Sequence, residues 1–166
     1  TTLDSSGFLN YVAVEIDNGA TDGAMLSDVL RGMNQLIDLG NIDVVILPYV
    51  TESEYAVNAL LKHATSTVVN RGGLVLVPTL DDKKKIRSPL ISPCNLAVNK
   101  LGMLCVATTF VDEPTKLYSS AYHSGFAMIA LPGSSVSTRG CVGNHWPAVN
   151  FKGSGASLAL LGGIAA

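Results

Sequence analysis

Three histidines, three cysteines and two pairs of adjacent acids are the residue types in this sequence that could do chemistry. Their spacing decides what each offers. His63, His123 and His145 stand far apart, and none has a second ligand one helical turn away. Cys94, Cys105 and Cys141 form neither a CxxC pair nor a zinc-ligand spacing. Cys105 lies in an apolar run and reads as a small buried hydrophobe, whereas Cys94 and Cys141 fall in loop-like stretches where a disulfide between them is an open alternative. Asp81-Asp82 and Asp112-Glu113 read as solvated turn acids; an acid or cation site there would need partners that the sequence does not supply. No serine sits in a GxSxG elbow, and Thr1 reads more simply as the start of a segment than as an N-terminal nucleophile. Gly153-Ser154-Gly155 opens a helical stretch but follows no clear strand and lacks a lysine, so it is a poor phosphate loop. No cofactor or metal site is expected.

The elements that must position these residues follow from periodicity. Tyr11 to Ile16 alternates in the manner of a strand. Leu26, Val29, Leu30, Met33, Leu36 and Ile37 make one helical stripe, stopped at Gly40. Val44 to Val50 is a continuous apolar run, as in a strand covered on both faces. Thr51 to Glu54 matches a capping box, opening a helix that turns Ala56, Leu60, Leu61, Ala64 and Val68 inward and ends at Arg71-Gly72-Gly73. Leu74–Val77, Met103–Thr109 and Phe126–Leu131 are further strands. A Gly/Ser/Pro-rich stretch over 132–152 then leads to a last helix. Strands alternating with helices predict an α/β fold with a parallel sheet and helices on both faces. Ligands of such sheets sit at the carboxyl ends of the strands. That directs attention to Asp17-Asn18-Gly19, Pro48–Thr51, Pro78–Asp82, Thr108-Thr109 and Pro132-Gly133.

Composition bounds the partners. The chain has 166 residues, 48% hydrophobic and 14% charged, with 11 basic against 13 acidic side chains. Disorder and a nucleic-acid footprint are excluded on these figures. The longest soft apolar stretch, Gly155 to Ala166, falls short of the ~20 residues of a membrane span, so no transmembrane span is expected. So many apolar residues with so few charges predict either a largely buried core or a chain that rests against something else.

The order of these segments resembles the carboxyl-side part of the subtilisin-like serine protease fold. NYVAVEIDNGATDG followed by SDVLRGMNQLIDLGNIDVVIL is similar to that family's strand, glycine-containing turn, helix and Asp-Val-Val strand. ALLKHATSTVVNRGGLVLV is similar to the helix and valine-rich strand before its oxyanion-hole loop. The run from ISPCNLAVNKLGMLCVATTF through SGFAMIALPGSSVST resembles the progression to its "APGSS" strand end, and FKGSGASLALLGGIAA resembles its nucleophile helix. The resemblance implies a three-layer α/β sandwich, present in part, with residues 1–166 as a single incomplete domain.

It also implies where the chemistry is missing. The family's Gly-Thr-Ser-Met-Ala segment matches Gly153-Ser154-Gly155-Ala156-Ser157, which puts Gly155 at the nucleophile position. The oxyanion-hole asparagine matches Asp82, or Asp81 after a one-residue shift, and a carboxylate there would oppose the developing negative charge. The glycine-rich strand end that pairs with substrate matches Tyr49, Val50 and Thr51, whose side chains fill that space. The family's catalytic Asp and His segments lie upstream of the match; Asp17-Asn18-Gly19 is a competing alignment for the Asp. The resemblance therefore implies a pseudoprotease acting as scaffold or interaction module, its partner another protein chain or the remainder of its own precursor. The alternatives are part of an active endopeptidase completed by an upstream Asp- and His-bearing segment, or an unrelated α/β structural subunit. By family resemblance alone, the setting is secretory or extracellular.

Overall fold

The structure, a computed structural model, describes residues 2–3, 10–16, 24–80, 91–118, 126–139 and 148–166. Two short strands, β1 (Thr2–Leu3) and β2 (Asn10–Tyr11), pair antiparallel. They are followed by α1 (Leu26–Leu39), β3 (Val44–Ile46), β4 (Thr51–Glu52), α2 (Tyr55–Asn70), β5 (Leu74–Pro78), β6 (Ile91–Ser92) and α3 (Cys94–Ala97). The chain continues through β7 (Met103–Thr109), β8 (Ile129–Pro132), β9 (Val136–Arg139), β10 (Ala148–Phe151) and α4 (Ser154–Ala165). The central sheet is β3-β5-β7-β8, parallel throughout, as the alternation of strands and helices predicts.

Apart from Thr108 and Thr109 at the end of β7, its strands are apolar on both faces because both are covered. Val45, Val75, Val77, Met103 and Cys105 face α1 and α2, packing with Val29, Met33, Leu61, Ala64 and Val68. Their neighbours in sequence, Val44, Leu74, Leu76, Leu104 and Val106, face the other way onto Leu158 and Leu161 of α4. Helices therefore lie on both faces, and the architecture is a three-layer α/β sandwich.

Several local expectations change. Only the first residue of the Tyr11–Ile16 run is in a strand. The alternation beyond it is real, but Ile16 and Val14 rest over Gly32 of α1, where a Cβ would fall 2.6 Å from Ile16 Cγ2. The capping box does not form. Thr51 and Glu52 are held in β4 by pairing with β6, and α2 starts only after Glu54 with no side-chain cap. Ser53 instead accepts an N–H from Asn58 at 2.6 Å and from Asn95 at 3.0 Å. The buried stripe of α2 is Leu61, Ala64, Thr65 and Val68, while Ala56 is exposed and Leu60 is 48% exposed. Thr65 hides this phase in the sequence. Its hydroxyl donates to the Leu61 carbonyl at 2.8 Å, so a polar residue can occupy a core position.

Two connections also differ. The 132–152 stretch contains the antiparallel hairpin of β9 and β10, whose strands are too short to stand out among Gly, Ser and Pro. Cys105 is not a free thiol: it is bonded to Cys94, joining the start of α3 to β7. The alternative pairing of Cys94 with Cys141 is thereby excluded, and Cys141 itself lies outside the described residues. The sequence concealed this bridge because Cys105, at the middle of a strand, looks like any other core hydrophobe.

Beside α2, Lys100 donates to Thr65 Oγ1 at 3.3 Å and to Ser66 Oγ. Burial, and secondarily the charge of Lys62, hold its amine below the usual lysine range. Among the described residues, no helix is long and apolar enough to cross a membrane.

Two outcomes test this packing. Leu61→Ala should cost about 2–5 kcal/mol in urea unfolding, and Leu60→Ala no more than about 1; the sequence-derived phase would make them equal. A non-reducing digest should yield one peptide pair linked through Cys94 and Cys105, and Cys105→Ala should lower stability by about 2–4 kcal/mol.

Candidate functional site

In a parallel sheet all carboxyl ends lie along one edge, and α4 begins at that edge here. Gly153, with φ of 101°, makes the turn into the helix and donates its N–H to the Gly133 carbonyl at 2.8 Å. Gly133 follows the end of β8 and donates to Thr109 of β7 at 3.1 Å. Backbone bonds thus tie the strand ends to the helix start. The approach is so close that a Cβ on Gly133 would run into Ser157 Oγ and come within 3.0 Å of both Gly153 O and Thr108 Cγ2.

The hydroxyls of the first turns of α4 point into the protein. Ser154, 4% exposed, donates to the Thr79 carbonyl beyond β5 at 2.7 Å. Ser157, fully buried, donates to the Leu131 carbonyl at 2.8 Å, with Thr108 Oγ1 at 3.2 Å from the same oxygen. A serine hydroxyl has one proton to give. Both are committed to main-chain carbonyls of the sheet, which leaves neither aimed at a reacting carbonyl outside. Gly155, between them, is partly exposed, and a Cβ there would touch nothing nearer than Phe151 Cζ at 3.4 Å.

Tyr49, Val50 and Thr51 follow the carboxyl end of β3 on this same edge and are each half-buried. The Tyr49 ring packs against the core beneath α1 and α2, its N–H donating to the Leu47 carbonyl at 2.9 Å, and Thr51 pairs with Ser92 of β6. The segment is already engaged on its own protein.

The fold and this edge can be compared with solved proteins. The prenylagaramide maturation protease PagA matches over 90% of this chain and 50% of its own, with a TM-score of 0.68 and 18% identity. A lanthipeptide protease matches over 90% of this chain and 52% of its own (TM-score 0.67, 11% identity). The epidermin leader peptide processing serine protease EpiP of Staphylococcus aureus matches over 87% and 44% (TM-score 0.64, 12% identity). The fold is that of subtilisin-like protease domains. The chain spans about half the length of these solved proteins. No family model matches the sequence, and no curated protein matches it.

The subtilisin-like fold places Gly155, Ser154 and Ser157 at the carboxyl edge together with Gly133, Thr79 and Thr108. Gly133 and the threonines lie in the strand-end segments that the sequence marks for attention, but their roles as packing partners of α4 have no sequence signal. Asp81, Asp82, Asp17-Asn18-Gly19, His123 and His145 lie outside the described residues. His63 is exposed on α2, away from the sheet. Asp112 and Glu113 are exposed in the turn after β7, where Glu113 pairs with Lys116. Among the described residues, no three or more His, Cys, Asp or Glu side chains gather as a metal site.

The close approach at Gly133 makes a direct test. Gly133→Ala should destabilise the protein by about 1–3 kcal/mol through overpacking. Adding Ser157→Ala, which removes the oxygen in the way, should recover part of that loss in a double-mutant cycle read by urea unfolding.

Proposed function

We propose that this chain is a degenerate subtilisin-like domain, a pseudoprotease that acts as a scaffold or interaction module and does not cleave peptides on its own. The observation that carries the reading is the first turn of α4. Gly155, the residue that the resemblance assigns to the nucleophile, has no side chain to attack a carbonyl. Its serine neighbours do not substitute for it. Helical geometry turns them about 100° and 200° away, and their hydroxyls bond inward to Thr79 and Leu131.

The cleft reading points the same way. Of Tyr49, Val50 and Thr51, assigned by resemblance to the strand end that would pair with substrate, Tyr49 packs on the core and Thr51 pairs with β6. Asp82 is assigned to the oxyanion position, where a carboxylate would work against catalysis; loss of one oxyanion donor costs about 10²–10³ in rate. The chain's partner on this reading is another protein chain or the remainder of a longer precursor.

A fluorophosphonate serine probe and a fluorogenic subtilisin-type peptide test it. The expected result is neither labelling nor turnover, and labelling at Ser154 or Ser157 overturns the reading. Gly155→Ser should fold, since its Cβ meets only ordinary contact with Phe151, and should stay inactive. Activity gained by that variant alone would favour an endopeptidase missing only its nucleophile.

A further inference from the structure

Lys100 lies in the turn that leads from α3 to the amino end of β7, and its backbone is held there at both groups. Its N–H donates to the Ala97 carbonyl at 3.1 Å, and its own carbonyl accepts from the Met103 N–H at 3.3 Å. Two residues on, Gly102 has a φ of 82° and comes so near α2 that a Cβ would fall 2.8 Å from Val69 Cγ1. The turn therefore rests on α2 and delivers the half-buried lysine side chain to Thr65 and Ser66.

The amine meets hydroxyl oxygens there and no carboxylate. Thr65 Oγ1 is 3.3 Å away, and Ser66 Oγ is the second partner. Thr65 gives its one proton to the Leu61 carbonyl at 2.8 Å, so toward Lys100 it can only accept. Among the described residues the ion pairs are Arg31–Asp28 and Lys116–Glu113, and neither involves Lys100. The charge that does act on it is a like one, that of Lys62, one turn before Ser66 on α2. Burial and a neighbouring cation both disfavour an ammonium, and together they hold this amine below the usual lysine range. The hydrogen bonding suits the neutral form as well. A neutral amine has two N–H bonds, one for each hydroxyl oxygen, and its lone pair is left uncommitted.

We propose that Lys100, set between the Thr65 and Ser66 hydroxyls with Lys62 beside it, is an acylation site whose substrate class is a small acyl phosphate. The amine lone pair attacks the acyl carbon and a C–N bond forms. The bond from that carbon to the phosphate oxygen breaks, and the phosphate leaves with the electron pair and takes up the proton that the nitrogen sheds. No further reactant is needed. The product amide carries no charge, so the opposition from Lys62 ends, and it keeps one N–H for a hydroxyl oxygen. This inference goes beyond the pseudoprotease reading. The site lies at the amino end of β7, away from the carboxyl edge where α4 begins, so either can fail without the other.

The test is acetyl phosphate, added near neutral pH to the folded 166-residue chain, with peptide mass spectrometry of each lysine. Lys100 should be acetylated at least about threefold faster than the exposed Lys152, because a larger share of its amine is neutral. In the urea-unfolded chain the two rates should agree within about twofold. Ser66→Asp sets a carboxylate beside the amine and should bring Lys100 down to the Lys152 rate or below it. Lys62→Met removes the like charge from an exposed position and should also slow Lys100, which keeps the test open if the aspartate variant does not fold. Equal rates for Lys100 and Lys152 in the folded chain overturn the proposal, as does a lead that survives unfolding. A lead indifferent to Lys62→Met also overturns it. So does a folded chain in which Lys100 stays unlabelled, because another segment then covers the amine.

Discussion

Helix α4 has to lie against the sheet and also begin at its carboxyl edge, and the remaining geometry of that edge depends on how closely it does so. Burying Leu158 and Leu161 on Leu76 and Val106 requires the helix axis to come down onto the strands. At its start this leaves no room for a side chain on Gly133, and the turn at Gly153 needs a positive φ that glycine adopts without strain. The apolar contact along the helix and the glycine contact at its head are one constraint. Relaxing either would lift the first turn away from the strand ends.

That same closeness decides what the serines of the first turn do. A hydroxyl carried into an apolar interface must find a partner or cost several kcal/mol. Ser154 and Ser157 find theirs in the carbonyls of Thr79, just past the end of β5, and Leu131, within β8. The two serines pin α4 to three strands or their extensions. Gly155, between them, is partly exposed, and a Cβ there would have only the Phe151 ring within 4 Å. An edge built in this way is stable without a reactive group, which is the physical content of the pseudoprotease proposal.

Much of this was legible in the sequence, and what was not has identifiable causes. The parallel sheet is readable because strands covered on both faces show unbroken apolar runs, as Leu74–Val77 and Met103–Ala107 do. Helix α1 was readable because its stripe contains no polar residue. On helix α2 periodicity finds Leu61, Ala64 and Val68 but adds the exposed Ala56 and Leu60 and misses Thr65, whose hydroxyl is satisfied by its own helix. Cys105 reads as a core residue because in burial and strand position it is one; only the three-dimensional proximity of α3 reveals its partner Cys94. At the candidate site, the residue types of Gly155, Ser154 and Ser157 were plain. The inward direction of the hydroxyls was not, since it follows from a contact between segments some 75 and 26 positions apart.

The composition takes on a structural meaning through helix α4. From Ser154 to Ala166 α4 carries no charged residue, so its outer side is as apolar as its inner one. A helix that is hydrophobic all round is ordinarily enclosed on both sides. Here one side meets the sheet, while Leu160 and Ile164 on the other are open to solvent. A charged content of 14% is therefore not explained by a larger core alone. Part of the missing charge is missing from a surface. A charge there would oppose burial on the side away from the sheet, a side that the described residues leave open at Leu160 and Ile164.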